Sequence, residues 1–386
     1  MVFNNIMKFN VVRYVICPLV AMVLWATPSM AASEQVVVLH STATPSRWTD
    51  GLTRGLESVL GDDVDVVSVH LGTSAEGDDY FDDQYVRLSQ EWKDAAVTAV
   101  VTDGPVAFAF MRKYREDVFI GVPVVYCGMA RPDPVFLKEC GDCTGLPVEY
   151  EVEKTLDLIF TLRPETSVVV GVMGATPESR QLRAALEAAM EPYLDHAEVI
   201  FPGHEPGDSD GLDMELVGNV ASSVPGSGAL MYLGLTLDRH GLPLVESDVV
   251  ERLVQKSTVP VFVLSKQWMG SGVLGGVVVD GEAHGREVGR LIRRVHAGEP
   301  VREMLAQAVV PRPVVDLTVM AQYGMGQHRL PEETVTLNAP VRPDGGEDAV
   351  STGMTIVGVA LLAGVVLFLV IRRREGRKGT RSAWRP

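Results

Sequence analysis

Short apolar runs rich in valine recur along the chain, and each is followed by a stretch with helical spacing. "QVVVLH" (35–40), "DVDVVSVHL" (63–71), "VTAVVTD" (97–103) and "VPVVYCG" (122–128) read as strands. Between them, "RWTDGLTRGLESVLG", "DDQYVRLSQEWKDA" and "GPVAFAFMRKYRED" read as helices. The strand runs are largely apolar and do not alternate with polar residues, as in strands buried on both faces of a parallel sheet. Strand–helix–strand alternation predicts an α/β doubly wound sheet.

A break follows at "MARPDPVFLKECGDCTGLP" (129–147), where proline and glycine interrupt any apolar period. The alternation then restarts. "EYEVEKTLDLIFTL", "TPESRQLRAALEAAM", "MELVGNVASSV" and "ESDVVERLVQKS" read as helices, with Thr176 as an N-cap and Pro177 at the first helical position. "TSVVVGVMG", "HAEVIFPG", "GALMYLGL" and "VPVFVLS" read as strands. A further strand and helix lie in "GGVVVDGEAHGREVGRLIRRVHAGE", and "AVVPRPVVDLTV" is a late extended segment. The pattern is two α/β units with a connector.

The ends carry a different signal. Residues 354–371, "MTIVGVALLAGVVLFLVI", hold no charge. At about 1.5 Å per residue they reach across a hydrocarbon core of roughly 30 Å. Arg372, Arg373, Arg374, Arg377 and Lys378 follow, which puts the tail 372–386 in the cytoplasm. At the other end Lys8 and Arg13 precede "YVICPLVAMVLWAT", with Ser29 and Ala31 at a small-residue cleavage site. Residues 1–31 read as a signal peptide, with an uncleaved anchor as the alternative. The expected location is the cytoplasmic (inner) membrane, single-pass, with the body on the periplasmic side.

Charge narrows the partners. The chain has 34 basic and 50 acidic residues, a net charge of −16. The leader and tail are basic, so the exported body is more acidic still. This argues against nucleic acid and anionic lipid surfaces. Outside the leader the cysteines are Cys127, Cys140 and Cys143. "CGDC" fits a loop disulfide between Cys140 and Cys143, a pair of free thiols, or a redox site. A zinc site would need a second pair. No HExxH or Walker motif occurs, and the histidines lack metal-ligand spacing. No catalytic residue, metal or cofactor is expected.

The order and spacing of several stretches resemble the substrate-binding proteins of ABC transporters. The match is to the type I periplasmic binding fold, in the branch that binds aromatic amino acids and that also serves as the extracellular sensor domain of bacterial membrane kinases. The stretches are "VVVLHSTATPSRWTDGLTRGLESVL", "VVTDGPVAFAFMRKYREDVFIGVPVVYCGMA", "TGLPVEYEVEKTLDLIFTLRPETSVVVGVMG", "LGGVVVDGEAHGREVGRLIRRVHAGEP" and "AQYGMGQHRLPEETVTLN". The resemblance implies two doubly wound parallel-sheet lobes joined by several chain crossings, near 129–145, 270–274 and 300–308. Lobe one would hold 35–128 and 274–299, lobe two 129–273 and 300–338, with 339–353 as linker. Such sensors continue beyond the membrane into signalling domains, whereas 372–386 is too short for one. The implied output is therefore a separate partner.

In open α/β sheets ligands bind beyond the carboxyl ends of the strands, and two facing sheets make a cleft that closes by hinge motion. That logic, with the resemblance, selects the candidates. In lobe one, Ser41 and Thr42 offer hydroxyls and Trp48 a stacking face, against a plain helix cap at Ser46 and a core tryptophan. Asp103 and Gly104 end the third strand, where the carboxylate binds a ligand amine or caps the next helix. Gly128 and Met129 end the fourth strand. In lobe two, Gly174 and Thr176 open a helix whose N–H groups hold a carboxylate or are simply capped. Thr236, Asp238, Ser265 and Trp268 complete the set, with Trp268 as the aromatic wall. An amino-acid-like or other small organic solute would find an acid, N–H donors and aromatic faces there. The expected function is a membrane-anchored solute-binding protein read by a membrane sensor kinase or an ABC permease. The tether, which fixes it beside a partner, puts sensing ahead of import. A structural protein without a ligand is the remaining reading.

Overall fold

The computed structural model describes residues 34–339 except 73–77, 94, 134, 136, 138, 139, 205–210 and 305. The expected signal peptide, membrane helix and tail lie outside the described residues. Among the described residues no helix is long and apolar enough to cross a membrane.

The first sheet contains β1 (Glu34–His40), β2 (Val64–His70), β3 (Val97–Asp103), β4 (Val124–Cys127) and β5 (Cys143–Gly145), in the order β2-β1-β3-β4-β5. All its pairings are parallel. Helices α1 (Arg47–Leu60), α2 (Asp78–Glu91) and α3 (Pro105–Val118) connect its strands. The valine runs explain the layering. Val36, Val38 and Val101 pack on Leu52 and Leu56 of α1, and their sequence neighbours Val37, Leu39 and Val100 pack on Phe110 and Met111 of α3. Strands β1 and β3 are thus apolar on both faces because each face is covered by helix.

The second sheet contains β6 (Val168–Val172), β7 (Glu198–Ile200), β8 (Gly228–Tyr232), β9 (Val261–Val263), β10 (Gly275–Val278), β11 (Arg312–Asp316) and β12 (Val335–Leu337). Its order is β12-β11-β10-β9-β8-β6-β7, and only the β10–β11 pair is antiparallel. Leu156 and Ile159 of α4 (Val152–Leu162) and Leu186 of α5 (Pro177–Ala189) cover one face. Val217 of α6 (Met214–Ser223) with Val249 and Leu253 of α7 (Glu246–Lys256) cover the other.

The chain passes between the sheets after β5, after β10 and before β11. These positions differ from the expected ones. Strand β5 belongs to the first sheet, not to the second lobe, so the first passage falls at 146–151. Strand β10 pairs with β9 and β11 of the second sheet, so the second passage falls at 279–280. Val301, Met304, Ala306 and Val309 pack on the first-lobe core, which moves the third passage to the residues just before Arg312. Proline and glycine mark where the chain is irregular, but only hydrogen-bond pairing decides which sheet edge takes a short strand.

After β10 the chain enters α8 (Gly281–His296), which lies along α1. Backbone meets backbone there. A Cβ on Gly55 would overlap the Glu282 carbonyl oxygen, and one on Gly285 would overlap that of Leu52. This contact ties the returning segment to the first lobe. A short helix, α9 (Leu317–Gln322), follows β11 and is capped by Asp316, which accepts from the Thr318 N–H at 2.9 Å.

Candidate functional site: the strand-end cleft

On the first-lobe side, β1 ends at His40 and the chain turns through Ser41 to Ser46. Ser46 caps α1 by accepting from the Thr49 N–H at 3.2 Å, and Thr49 Oγ1 accepts the Ser46 N–H at 2.8 Å in return. Ser41 Oγ donates to the Asp103 carbonyl at 2.8 Å and accepts the Ala107 N–H at 3.0 Å, joining β1, β3 and α3. Thr42 Oγ1 lies 3.2 Å from His70 Nδ1. Both hydroxyls are engaged by the protein.

Asp103 is the centre of this wall, and it is almost wholly buried. Its Oδ2 lies 2.8 Å from His40 Nδ1, and its Oδ1 accepts the Trp48 indole N–H at 2.9 Å. His40 Nε2 continues the chain to Ser68 Oγ at 3.2 Å. The carboxylate therefore does not cap α3, whose N-cap is Gly104 with no side-chain hydrogen bond. Both of its oxygens orient protein groups. Gly128, at φ 67°, is glycine for the same reason: a Cβ there would overlap Asp103 Oδ1. Met129 follows, half-buried, and its carbonyl accepts the Val148 N–H of the first passage at 2.8 Å. Trp48 is half-buried, tilted against His284 with ring centroids 5.4 Å apart. Burial pushes the His284 imidazole pKa down.

On the second-lobe side, the Gly174 N–H donates to the Gly234 carbonyl at 2.8 Å, and Thr176 caps α5 by accepting the Ser179 N–H at 3.1 Å. The Thr236 carbonyl accepts the Leu244 N–H at 2.8 Å. Asp238 Oδ1 takes the N–H groups of His240 and Leu242, each at 2.8 Å, and so builds its own turn. Ser265 is buried, and its hydroxyl has no hydrogen-bond partner. Trp268 is 9% exposed and sits edge-on to Tyr232, 5.8 Å between centroids, within the second-lobe core. The ring belongs to that core, not to the open aromatic wall read from the sequence. Its strand-end position was legible, but the direction of its ring was not.

A group of electrostatically coupled residues was missed. They are Tyr150 in the first passage, Glu178 in the first turn of α5, and Glu246 at the start of α7 with Tyr232 beneath it. The Tyr232 hydroxyl donates to Glu246 Oε1 at 2.6 Å and accepts the Leu235 N–H at 3.0 Å. Burial pushes the Tyr150 hydroxyl pKa far up, and the charges of Glu178, Glu246 and Asp103 add to it. These groups therefore share one electrostatic neighbourhood. Burial, then Glu246, raises the Glu178 carboxyl. Burial also raises Glu246, against the lowering effect of the Tyr232 hydrogen bond. Among the described residues no lysine or arginine pairs with either carboxylate. In the sequence both read as ordinary acids in a helix first turn, where the helix dipole favours them anyway.

Cys140 and Cys143 are joined as a disulfide with Cα atoms 5.6 Å apart, and the Arg115 guanidinium donates to the Cys140 carbonyl at 3.0 Å. Cys127 is fully buried and burial pushes its thiol up, so it stays a protonated core residue.

No protein-family model matches the chain, and no curated protein matches it. Solved structures do. An ABC domain in complex with L-Trp from Streptococcus pneumoniae aligns with a TM-score of 0.59 at 16% identity, over 79% of this chain and 100% of that one. A conserved domain protein from Vibrio cholerae aligns with a TM-score of 0.56 at 14% identity, over 79% and 99%. A ligand-free, open substrate-binding protein with adhesive properties from Clostridium difficile gives 0.55 at 15% identity, over 79% and 99%. At such identities the likeness is one of fold, and the fold is the two-lobed, type I periplasmic binding architecture.

Proposed function

We propose that this protein is an extracytoplasmic solute-binding protein that closes its lobes on a small molecule carrying a cationic amine. One observation carries the reading: Glu178 and Glu246 share an electrostatic neighbourhood with Tyr150, and among the described residues no cation pairs with either. Both carboxylates are half-buried, and carboxylates withdrawn from water are normally paired, so a ligand ammonium is the natural partner. The Tyr150 hydroxyl, which bonds to no described residue, supplies a further polar contact. The solved structure holding L-Trp, itself an amine-bearing solute, is consistent with this class. Segment 354–371 holds the body at the cytoplasmic membrane in this reading, and the closed form is read by a sensor kinase. A permease that takes the ligand from the cleft is the second reading. Binding, not catalysis, is the task in both.

The test is calorimetry of the full chain against amines, amino acids and organic acids. Amine-bearing solutes should bind, and Glu178→Gln combined with Glu246→Gln should weaken them roughly a hundredfold, the loss of two charge-assisted contacts. Organic acids binding as well as amines, or a double variant that binds normally, would sink the proposal.

The same carboxyls set a pH dependence. Their folded-state pKa values lie above the ordinary 4.5, because burial disfavours the charged form. Their contribution to stability is therefore full below that value and is lost as pH rises through the raised folded values. Ligand affinity should run the other way and strengthen over the same window as the carboxylates form. Affinity that is flat with pH above 4.5 in a titration series would contradict this.

A further inference from the structure

A cavity of about 420 Å³ lies at the first passage. Small-molecule pockets typically span roughly 300–1,000 Å³. Its walls come from the end of β4, from β5 with Leu146 and Pro147, and from Met304, Ala306 and Val309 ahead of the third passage. Glu178, Glu246, Tyr150 and Tyr232 take no part in it.

Polar groups on this wall lack protein partners. Tyr126 lines the cavity, is only 3% exposed, and its hydroxyl has no hydrogen-bond partner. That hydroxyl faces the cavity and is available to a ligand as donor or acceptor. Arg131, an exposed side chain, lines the same cavity and makes no ion pair with a described residue. It is close enough for its charge to hold down the Tyr126 hydroxyl pKa, which burial pushes up. Glu149 also lines the cavity, but the two charges do not pair. Gly145 leaves the tyrosine its place, since a Cβ there would come within 2.6 Å of the ring.

We propose that this cavity is a second ligand site for a small monocarboxylate with a compact apolar body. The carboxylate pairs with the Arg131 guanidinium and accepts from the Tyr126 hydroxyl, while the body packs on Leu146, Met304 and Val309. Glu149 disfavours a second negative charge and accommodates an ammonium. The carboxylate is thus either a free acid or that of an amino acid. The site does not depend on the reading of the cleft.

The experiment is calorimetry of the full chain carrying Glu178→Gln and Glu246→Gln, so that the cleft does not compete, with phenylacetate and with phenylalanine as probes. At least one probe should bind, and adding Arg131→Gln should weaken it about tenfold or more, the loss of a charge-assisted contact. Tyr126→Phe should weaken it several-fold without moving the urea midpoint. Phenylalanine favoured over phenylacetate, with the preference removed by Glu149→Gln, assigns an amino acid, and equal or weaker phenylalanine binding assigns the free acid. No heat from either probe at millimolar concentration, or binding indifferent to Arg131→Gln, overturns the site.

Discussion

Gly55→Leu should lower the stability of the protein by about 3 kcal/mol, the upper part of the range for overpacking a close contact. The reason is the α1–α8 interface. A Cβ on Gly55 would overlap the Glu282 carbonyl oxygen and would stand 2.7 Å from the Arg286 nitrogen and 2.9 Å from the Gly285 carbonyl carbon. All of these are backbone atoms, which cannot swing aside as a flexible side chain would. The helices must separate, and α8 is the element that returns the chain to the first lobe. Gly226 is the control, because a Cβ there meets nothing within 4 Å. Gly226→Leu should stay within about 0.5 kcal/mol of the parent, as surface changes usually do. Urea unfolding of the two variants decides it. Equal midpoints would mean that the helices do not approach as closely as described.

Asp103→Ala carries the second large effect, also about 3 kcal/mol, from a buried and a half-buried group losing their acceptor. The His40 ring and the Trp48 indole N–H both rely on this carboxylate. A carboxylate kept free for a ligand would behave differently: its loss would abolish binding and leave unfolding unchanged. Trp48→Phe in a double-mutant cycle isolates the indole bond, with an expected coupling of about 1 kcal/mol. Additive effects would show that Trp48 and Asp103 act independently.

These residues show how far the site was legible. Ser41, Thr42, Asp103, Gly128, Thr176 and Asp238 lie at strand ends, where the alternation of strand and helix put them. What they do there is mostly internal wiring. Ser41 ties β3 to α3, Asp103 orients Trp48 and His40, and Asp238 closes its own turn. A short polar side chain at a strand end is equally suited to a ligand and to a neighbouring N–H, and sequence does not separate the two. The acid pair was hidden for the opposite reason. Glu178 and Glu246 occupy helix first turns, where an acid needs no special explanation. Only their convergence on Tyr150 makes them a site, and that convergence joins α5, α7 and the first passage, which are far apart along the chain.

The sequence by itself determined the strands, the helices and the doubly wound class. Those follow from local properties: two-faced valine runs, helical spacing, and caps such as Ser46 and Thr176 that act within a few residues. The tertiary structure alone decided which sheet received β5 and β10, that Trp268 turned into the core, and that Glu178 and Glu246 came to share one electrostatic neighbourhood with Tyr150. Each of these depends on pairing or packing between segments distant in sequence, where the free energy comes from burial and hydrogen bonds that no local pattern encodes.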